Sequence, residues 1–234
     1  MIDPKLFLND ISPIDHGDDS RYFYKDKGVP SVTELLSFID NQGLIDWANM
    51  VGRKGQNNKD IVKRAAEYGT NSHAAIECYL KNKPIFIQNS SLEAFKEWWK
   101  EINSCHRVKV IGQEESLVTE FFAGTYDLLM GIDDKPYLVD FKTSNHVTYK
   151  YFMQLAAYRH LLYVVKKINI NGCVVLQLGK GRKPKYNEYV LDFNNPYHYE
   201  FIENCFRSFM GLVYTYYNVK NCQSQFNDIF KYNK

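Results

Sequence analysis

The spacing of hydrophobic and polar positions changes several times along the chain. Up to about residue 28 the sequence is rich in Asp and weakly patterned, which predicts an irregular arm. Ser31 followed by Glu34 is then a capping-box pattern that starts a helix. Further helices are expected over about Leu44 to Met50, Lys59 to Lys81 and Ser91 to Asn103. In the last of these, Phe95, Trp98, Trp99 and Ile102 form an apolar stripe, so at least one tryptophan is expected in the core. From about Val108 to Thr143 the pattern becomes strand-like, and the turn-like Gly131-Ile132-Asp133-Asp134 folds Thr125 to Lys142 into a hairpin. A helix follows from Tyr149 to about Val165. Strands at Gly172 to Leu178 and Tyr186 to Leu191 come next, and then a long C-terminal helix from Tyr197 to about Asn218.

Helices ahead of a mixed sheet, with one more helix between strands, make an α/β sandwich with an N-terminal helical elaboration. No repeat, low-complexity stretch or linker divides it. Residues 29–234 are therefore expected to be one domain: a helical part at 29–103, a sheet core at 104–192, and a C-terminal helix and tail at 193–234. A chain of 234 residues, 45% hydrophobic and 15% aromatic, can bury a sizeable core as one such unit.

Charge adds a local picture rather than a global one. With 29 basic and 27 acidic residues the net charge is +2, too balanced to mark a nucleic-acid binder, so any such affinity must come from clusters. Lys180, Arg182, Lys183 and Lys185 lie between two strand-like runs and read as a basic hairpin tip able to contact phosphates, or as a solvated turn. Arg53, Lys54, Lys59, Lys63 and Arg64 are flanked by Trp47 and Tyr68. That mixture suits a single strand whose bases stack on rings while its phosphates meet cations. The cysteines are scattered with no CxxC pair, which leaves a structural zinc unsupported and points to reduced thiols in a cytoplasmic-type compartment, an organellar matrix being the alternative. Neither a signal peptide nor a membrane-spanning apolar run is present, so no membrane partner is expected.

Three segments carry the candidate chemistry: Gly124-Thr125-Tyr126-Asp127, Tyr137 through Ser144, and Gln154-x-x-x-Tyr158. On a strand Asp140 and Lys142 point one way while Val139 and Phe141 point into the opposite, apolar layer. The hairpin returns Asp140 beside Asp127, and two neighbouring carboxylates repel unless a cation lies between them. Two carboxylates and a backbone carbonyl suit Mg²⁺ or Mn²⁺ and leave positions for water and a phosphate oxygen. Such an ion lowers the pKa of a water and stabilises charge developing on phosphorus, as phosphodiester hydrolysis requires. Lys142 would orient or deprotonate that water, or neutralise the transition state. Taken alone, an Asp-x-Lys is more simply a surface salt bridge.

The order G-x-x-D, apolar strand, D-x-K and helical Q-x-x-x-Y resembles the PD-(D/E)XK nuclease superfamily, in its RecB-like exonuclease branch. Gly69 through Glu77 looks like that family's helix motif, in which a histidine adds a metal ligand. Val29 through Leu36 and Leu44 through Ala48 are similar to the opening helices of its mitochondrial genome maintenance and phage relatives. The resemblance spans roughly Val29 to Tyr158. It implies a restriction-endonuclease-like core, with a central mixed sheet flanked by helices. It also implies metal ligation by His73, Asp127, Asp140 and the main-chain carbonyl of Phe141, and a catalytic lysine at Lys142. The acidic residue of the first core strand falls on Glu115, with Glu114 adjacent as the alternative. Gln154 and Tyr158, one helical turn apart, share a face and reach the scissile strand or buttress Lys142.

Each of these residues also has a plainer use. His73 fits a partly buried histidine bonded to a neighbour, Glu77 a helix-surface charge, Gln154 ordinary surface and Tyr158 ordinary core. The upstream cysteine and tight downstream trio of iron–sulfur relatives are missing, so no such cluster is expected. The implied activity is a Mg²⁺- or Mn²⁺-dependent DNA exonuclease acting on single strands or duplex ends in replication, recombination or repair, with room for a protein partner from those processes. The alternatives are a flap or junction endonuclease of the same fold, and a DNA-binding module without turnover. The module would be marked by loss of Asp127, Asp140 or Lys142, and all three are present. A metal hydrolase acting on other substrates would leave the basic clusters without purpose.

Overall fold

A computed structural model describes residues 21–39, 42–55, 57–181 and 185–230, except for the side chains of 42–47. A short hairpin, β1 (Tyr22–Tyr24) and β2 (Lys27–Val29), precedes four helices: α1 (Val32–Leu36), α2 (Gln42–Arg53), α3 (Asn58–Leu80) and α4 (Ser90–Cys105). Then come β3 (Val108–Val118), β4 (Ala123–Ile132) and β5 (Lys135–Lys142), followed by α5 (Tyr149–Lys166), β6 (Gly172–Leu178), β7 (Tyr186–Asp192) and α6 (Pro196–Phe230). Strands β3 to β7 form one five-stranded sheet in sequence order. All neighbours are antiparallel except β5 and β6, which run parallel because α5 carries the chain back across the sheet. The protein is an α/β sandwich, a mixed five-stranded sheet flanked by helices.

Local chemistry explains the elements. Ser31 and Glu34 form the reciprocal capping box that starts α1, and Asn57 and Asn89 cap α3 and α4 through their side-chain oxygens. The β4–β5 hairpin closes through Asp133 and Asp134, which adopt left-handed φ angles of 48° and 67°, as a two-residue turn demands. Asp133 also accepts the backbone N–H of Arg107 at 3.0 Å and lies 2.7 Å from His106 Nδ1, so the turn is tied to the α4–β3 junction.

The sheet is covered on both sides. Beneath α3 and α4, Ile76, Leu92, Phe95 and Trp98 pack on Leu128, Val139, Phe141, Val174 and Leu176. On the other face Leu155, Leu161, Phe206 and Phe209 of α5 and α6 join Leu35, Leu138 and Val175. Burial on both faces explains why β6 is a continuous apolar run broken only by Gln177. Trp98 is 1% exposed, the core position expected for one of the tryptophans.

Two expectations need correction. The arm expected through residue 28 contains the β1–β2 hairpin, whose turn residues Lys25 and Asp26 have φ angles of 47° and 64°; the rest of that segment, residues 1–20, lies outside the described residues. The C-terminal helix runs on to Phe230 instead of ending near Asn218. Its last third is exposed and rich in Asn and Gln, yet Val219, Cys222, Phe226, Ile229 and Phe230 keep a helical apolar spacing there, and no Gly or Pro after Gly211 stops it. Among the described residues no helix is long and apolar enough to cross a membrane.

Helices α5 and α6 are clamped by a buried ion pair, Arg159 Nη1 to Glu203 Oε1 at 2.7 Å. The guanidinium also lies over the rings of Phe193 and Tyr199. Burial alone would raise the Glu203 carboxyl, but the hydrogen bond and charge of Arg159 outweigh it and hold it below its ordinary value of 4.5. Glu203→Gln leaves Arg159 buried without its counter-charge, so the variant is expected to lose about 3 kcal/mol in urea unfolding at pH 7. Because the native value is depressed, this contribution is complete above 4.5 and is lost as pH falls through the native value. The gap between wild type and variant should therefore close in acid.

Candidate active site

The site is built from the register of three neighbouring strands. Gln113 pairs with Leu128 and Glu115 with Tyr126, which puts Glu114 opposite Asp127. Leu128 pairs with Val139, which puts Asp140 on the other side of Asp127. Three carboxylates thus follow one another across β3, β4 and β5. Asp127 Oδ2 accepts the backbone N–H of Phe141 at 2.6 Å, stitching the hairpin together at the site itself.

From the opposite layer α3 supplies His73. Its Nε2 lies 3.1 Å from the Phe141 carbonyl oxygen. Its Nδ1 lies 3.4 Å from Asp127 Oδ1 and 3.7 Å from Glu114 Oε1. Donor atoms of His73, Glu114 and Asp127 all fall within 4.8 Å of one another, a grouping able to hold a metal ion. The Asp140 carboxylate sits outside that group and is engaged with Lys142, whose Nζ is 2.6 Å from Oδ2. Asp140 Oδ1 is buried with no hydrogen-bond donor among the described residues.

Electrostatics follow from this crowding. Burial works against a charged His73, but Asp127 and Glu114 outweigh it and push the imidazole up to about 10. Burial likewise opposes ionised Asp127, yet His73 and Lys142 together hold its carboxyl below the usual range. Asp140 goes the other way: burial raises it, Lys142 opposes, and the neighbouring Asp127 adds to the rise. Burial works against a charged Lys142, but Asp140 and Asp127 outweigh it and raise its pKa. The donor set fits a divalent cation of the Mg²⁺ or Mn²⁺ type. It offers clustered carboxylate oxygens, one imidazole, a backbone carbonyl and an unsatisfied buried oxygen on Asp140. Such an ion would displace the proton that these carboxylates draw onto His73.

Helix α5 completes the site. Gln154 Oε1 accepts from Lys142 Nζ at 3.1 Å, and Gln154 Nε2 donates to the Tyr158 hydroxyl at 2.9 Å. Both side chains are buried, so they buttress Lys142 rather than reach outward. The glycine of G-x-x-D belongs to the same packing. A Cβ on Gly124 would come within 2.5 Å of the Tyr158 ring and 3.2 Å of Val32, so only glycine lets α5 approach β4 this closely.

The acidic residue on β3 is the main correction among the site residues. Glu114 joins the cluster, and the expected Glu115 does not. Glu115 is 41% exposed and ion-paired to Lys166, and it accepts from the Tyr126 hydroxyl at 2.5 Å. The Lys166 and Tyr126 hydrogen bonds hold its carboxyl below the usual range. Glu114 turns inward because its φ of 49° breaks the alternation of β3, downstream of a register shift between Val110 and Gly112. Glu77 pairs with Lys81 at 2.5 Å on the surface of α3, its plainer use.

The basic candidates lie on the periphery. Arg53, Lys54, Lys59, Lys63 and Arg64 are all exposed. Arg64 precedes His73 by nine residues, or about 14 Å along the helix axis. Lys180 lies with its Nζ 5.0 Å from the centre of the Tyr68 ring, whose hydroxyl contacts those of Ser90 and Ser91 at 3.0 and 3.1 Å. Lys185 is exposed, while Arg182, Lys183 and the Trp47 side chain lie outside what is described.

No family model matches the chain, and no curated protein sequence does either. Among solved structures the chain is similar to the alkaline exonuclease LHK-Exo from Laribacter hongkongensis. The identity is 14%, over 67% of this chain and 84% of that one, and the TM-score is 0.31. A likeness of that size carries nothing about the chemistry of the site.

The geometry separates two adjacent acids experimentally. Glu114→Gln is expected to weaken Mn²⁺ binding at least about tenfold in calorimetric titration, and His73→Ala by a similar factor. Glu115→Gln should leave Mn²⁺ affinity unchanged. His73 sits at the rim of the core, so His73→Ala should lower the melting temperature by only a few degrees.

Proposed function

We propose that this protein is a divalent-metal-dependent DNA exonuclease that hydrolyses phosphodiester bonds in single strands or at DNA ends. The observation that carries this reading is the row of Glu114, Asp127 and Asp140 across three strands, with the Lys142 ammonium 2.6 Å from Asp140. Glu114, Asp127, Asp140, His73 and the Phe141 carbonyl would hold Mg²⁺ or Mn²⁺. The ion would supply Lewis acidity, lowering the pKa of a water and offsetting charge on the phosphoryl oxygens. Lys142 Nζ lies between Asp140 Oδ2 and Gln154 Oε1. Held there, it would orient or deprotonate the water, or neutralise the developing phosphorane charge. Gln154 and Tyr158 hold it in place.

Support for DNA as substrate comes from the exposed cations of α2, of the N-terminal half of α3 and of the β6–β7 hairpin. These cations meet phosphates, while the acids stay reserved for the ion. A single strand suits the exposed basic helices better than a duplex, because its backbone bends between separated contacts.

The decisive experiment is a time course on end-labelled single-stranded, blunt, flapped and circular DNA with Mg²⁺, Mn²⁺ or EDTA. Laddering from ends with circles spared is the expected result, and EDTA should abolish it. Lys142→Ala should lower kcat by about a thousandfold. Asp140→Asn should lose turnover while retaining most DNA affinity; a variant that still cuts would sink the assignment. Cut circles would make the protein an endonuclease. Replacing Lys180 and Lys185 with Ala should weaken DNA binding regardless of sequence and reduce its salt slope by roughly one to two.

A further inference from the structure

Lys142 is the long, flexible member of the site, and an ammonium on four methylenes must be held if it is to meet a phosphate in one place. Asp140 and Gln154 hold it on two sides. The third side is the ring of Tyr151, whose centre is 4.9 Å from Lys142 Nζ. Tyr151 stands in the first turn of α5, three residues before Gln154, so one face of the helix presents both.

The ring is itself tethered. The Tyr151 hydroxyl donates to Ser144 Oγ at 2.9 Å, and Ser144 Oγ donates to the His146 carbonyl at 2.9 Å. The Ser144 carbonyl accepts from Gln177 Nε2 at 2.8 Å, and Gln177 Oε1 accepts from Asn187 Nδ2 at 3.0 Å. Gln177 and Asn187 are cross-strand partners at the base of the β6–β7 hairpin that carries Lys180 and Lys185. A polar chain thus runs from the root of that hairpin, through the β5–α5 loop, to the ring against Lys142. A tyrosine serving only as core filler needs no such tether, and Gln177 is the one polar break in the apolar run of β6.

We propose that Tyr151 is the positioning residue of Lys142: its ring face holds the ammonium over Asp140, and the Ser144–Gln177–Asn187 chain holds the ring. The proposal rests on the nuclease reading above, since it takes Lys142 as the group that meets the phosphate. An ammonium against an aromatic face in a desolvated site is worth up to about 2 kcal/mol, or about thirtyfold in rate if all of it is expressed in the transition state.

The test uses Tyr151→Leu and Tyr151→Phe in the full chain with two independent readouts. The first is kinetic: kcat and KM for metal-dependent cleavage, with DNA affinity measured in Ca²⁺. The second is the Cε methylene signal of Lys142 in ¹H–¹³C spectra of lysine-labelled protein, identified by its loss in Lys142→Arg. Tyr151→Leu should lower kcat about thirtyfold, with KM and DNA affinity within about twofold, and should move the Lys142 signal out of the ring-shifted region. Tyr151→Phe keeps the ring, and should bring kcat back to within about threefold and restore the shifted signal. Equal losses in both variants would overturn the proposal in favour of a hydroxyl that merely orders the loop. A Lys142 signal indifferent to Tyr151→Leu would overturn it whatever the kinetics. If the wild type cleaves no DNA, the nuclease reading fails and the spectra alone decide whether Tyr151 holds Lys142. Should Tyr151→Leu not fold, Tyr151→Met gives the same comparison.

Discussion

The pairing register of β4 against β5 is the constraint on which the site depends. Side chains on a strand alternate between faces, so a slip of one residue would bury both Asp140 and Lys142 among the phenylalanines and leucines under α4 and turn Val139 and Phe141 to the opposite face. The Asp133–Asp134 turn sets that register from one end, and the bond from Phe141 N–H to Asp127 sets it from the other. Between these two pins the carboxylates have no freedom to move apart. Their repulsion is therefore built in, and His73 and Lys142 are the cations the fold supplies to balance it. A buried charge that has lost its partner is far more costly than a pair that was never made. This is why the acids, the histidine and the lysine must be understood as one unit.

Much of this was legible from residue order alone. The spacing of Thr125 to Lys142 contains its own turn, so bringing Asp127 next to Asp140 needed only the strand period and two adjacent aspartates at the bend. The start of α1 was readable from its capping box at Ser31, whereas α3 and α4 were read from hydrophobic spacing and their caps, Asn57 and Asn89, went unread. The choice between Glu114 and Glu115 was not readable. Alternation assigns faces only along a regular strand, and β3 has both a register shift and a left-handed residue just where the choice falls. The Lys166 that captures Glu115 is more than fifty residues away in sequence and declares itself only when α5 packs beside β3.

The elements missed at either end share a physical cause. The β1–β2 hairpin is short and its turn, Lys25-Asp26, lacks the Asn-Gly signature that announces such bends. The outer part of α6 has no buried face, and its widely spaced apolar residues, Val219, Cys222, Phe226, Ile229 and Phe230, stand among Asn, Gln and Lys, so the helical period there is sparse while the helix continues. Tyr151 was hidden for a different reason. In sequence it is one aromatic among many on α5, and its tether to Ser144 and Gln177 spans three separate elements.

Helix α5 is buried without interruption from Met153 to Leu162. The same ten residues that fill the space between the sheet and α6 also present Gln154 to the lysine and Tyr158 to Gln154. The scaffold and the chemical apparatus are therefore one body with no hinge between them. In such a protein activity cannot fade ahead of structure on heating: inactivation and unfolding should coincide, and selection for greater thermal stability along this helix would act on the same atoms that set the reaction's geometry.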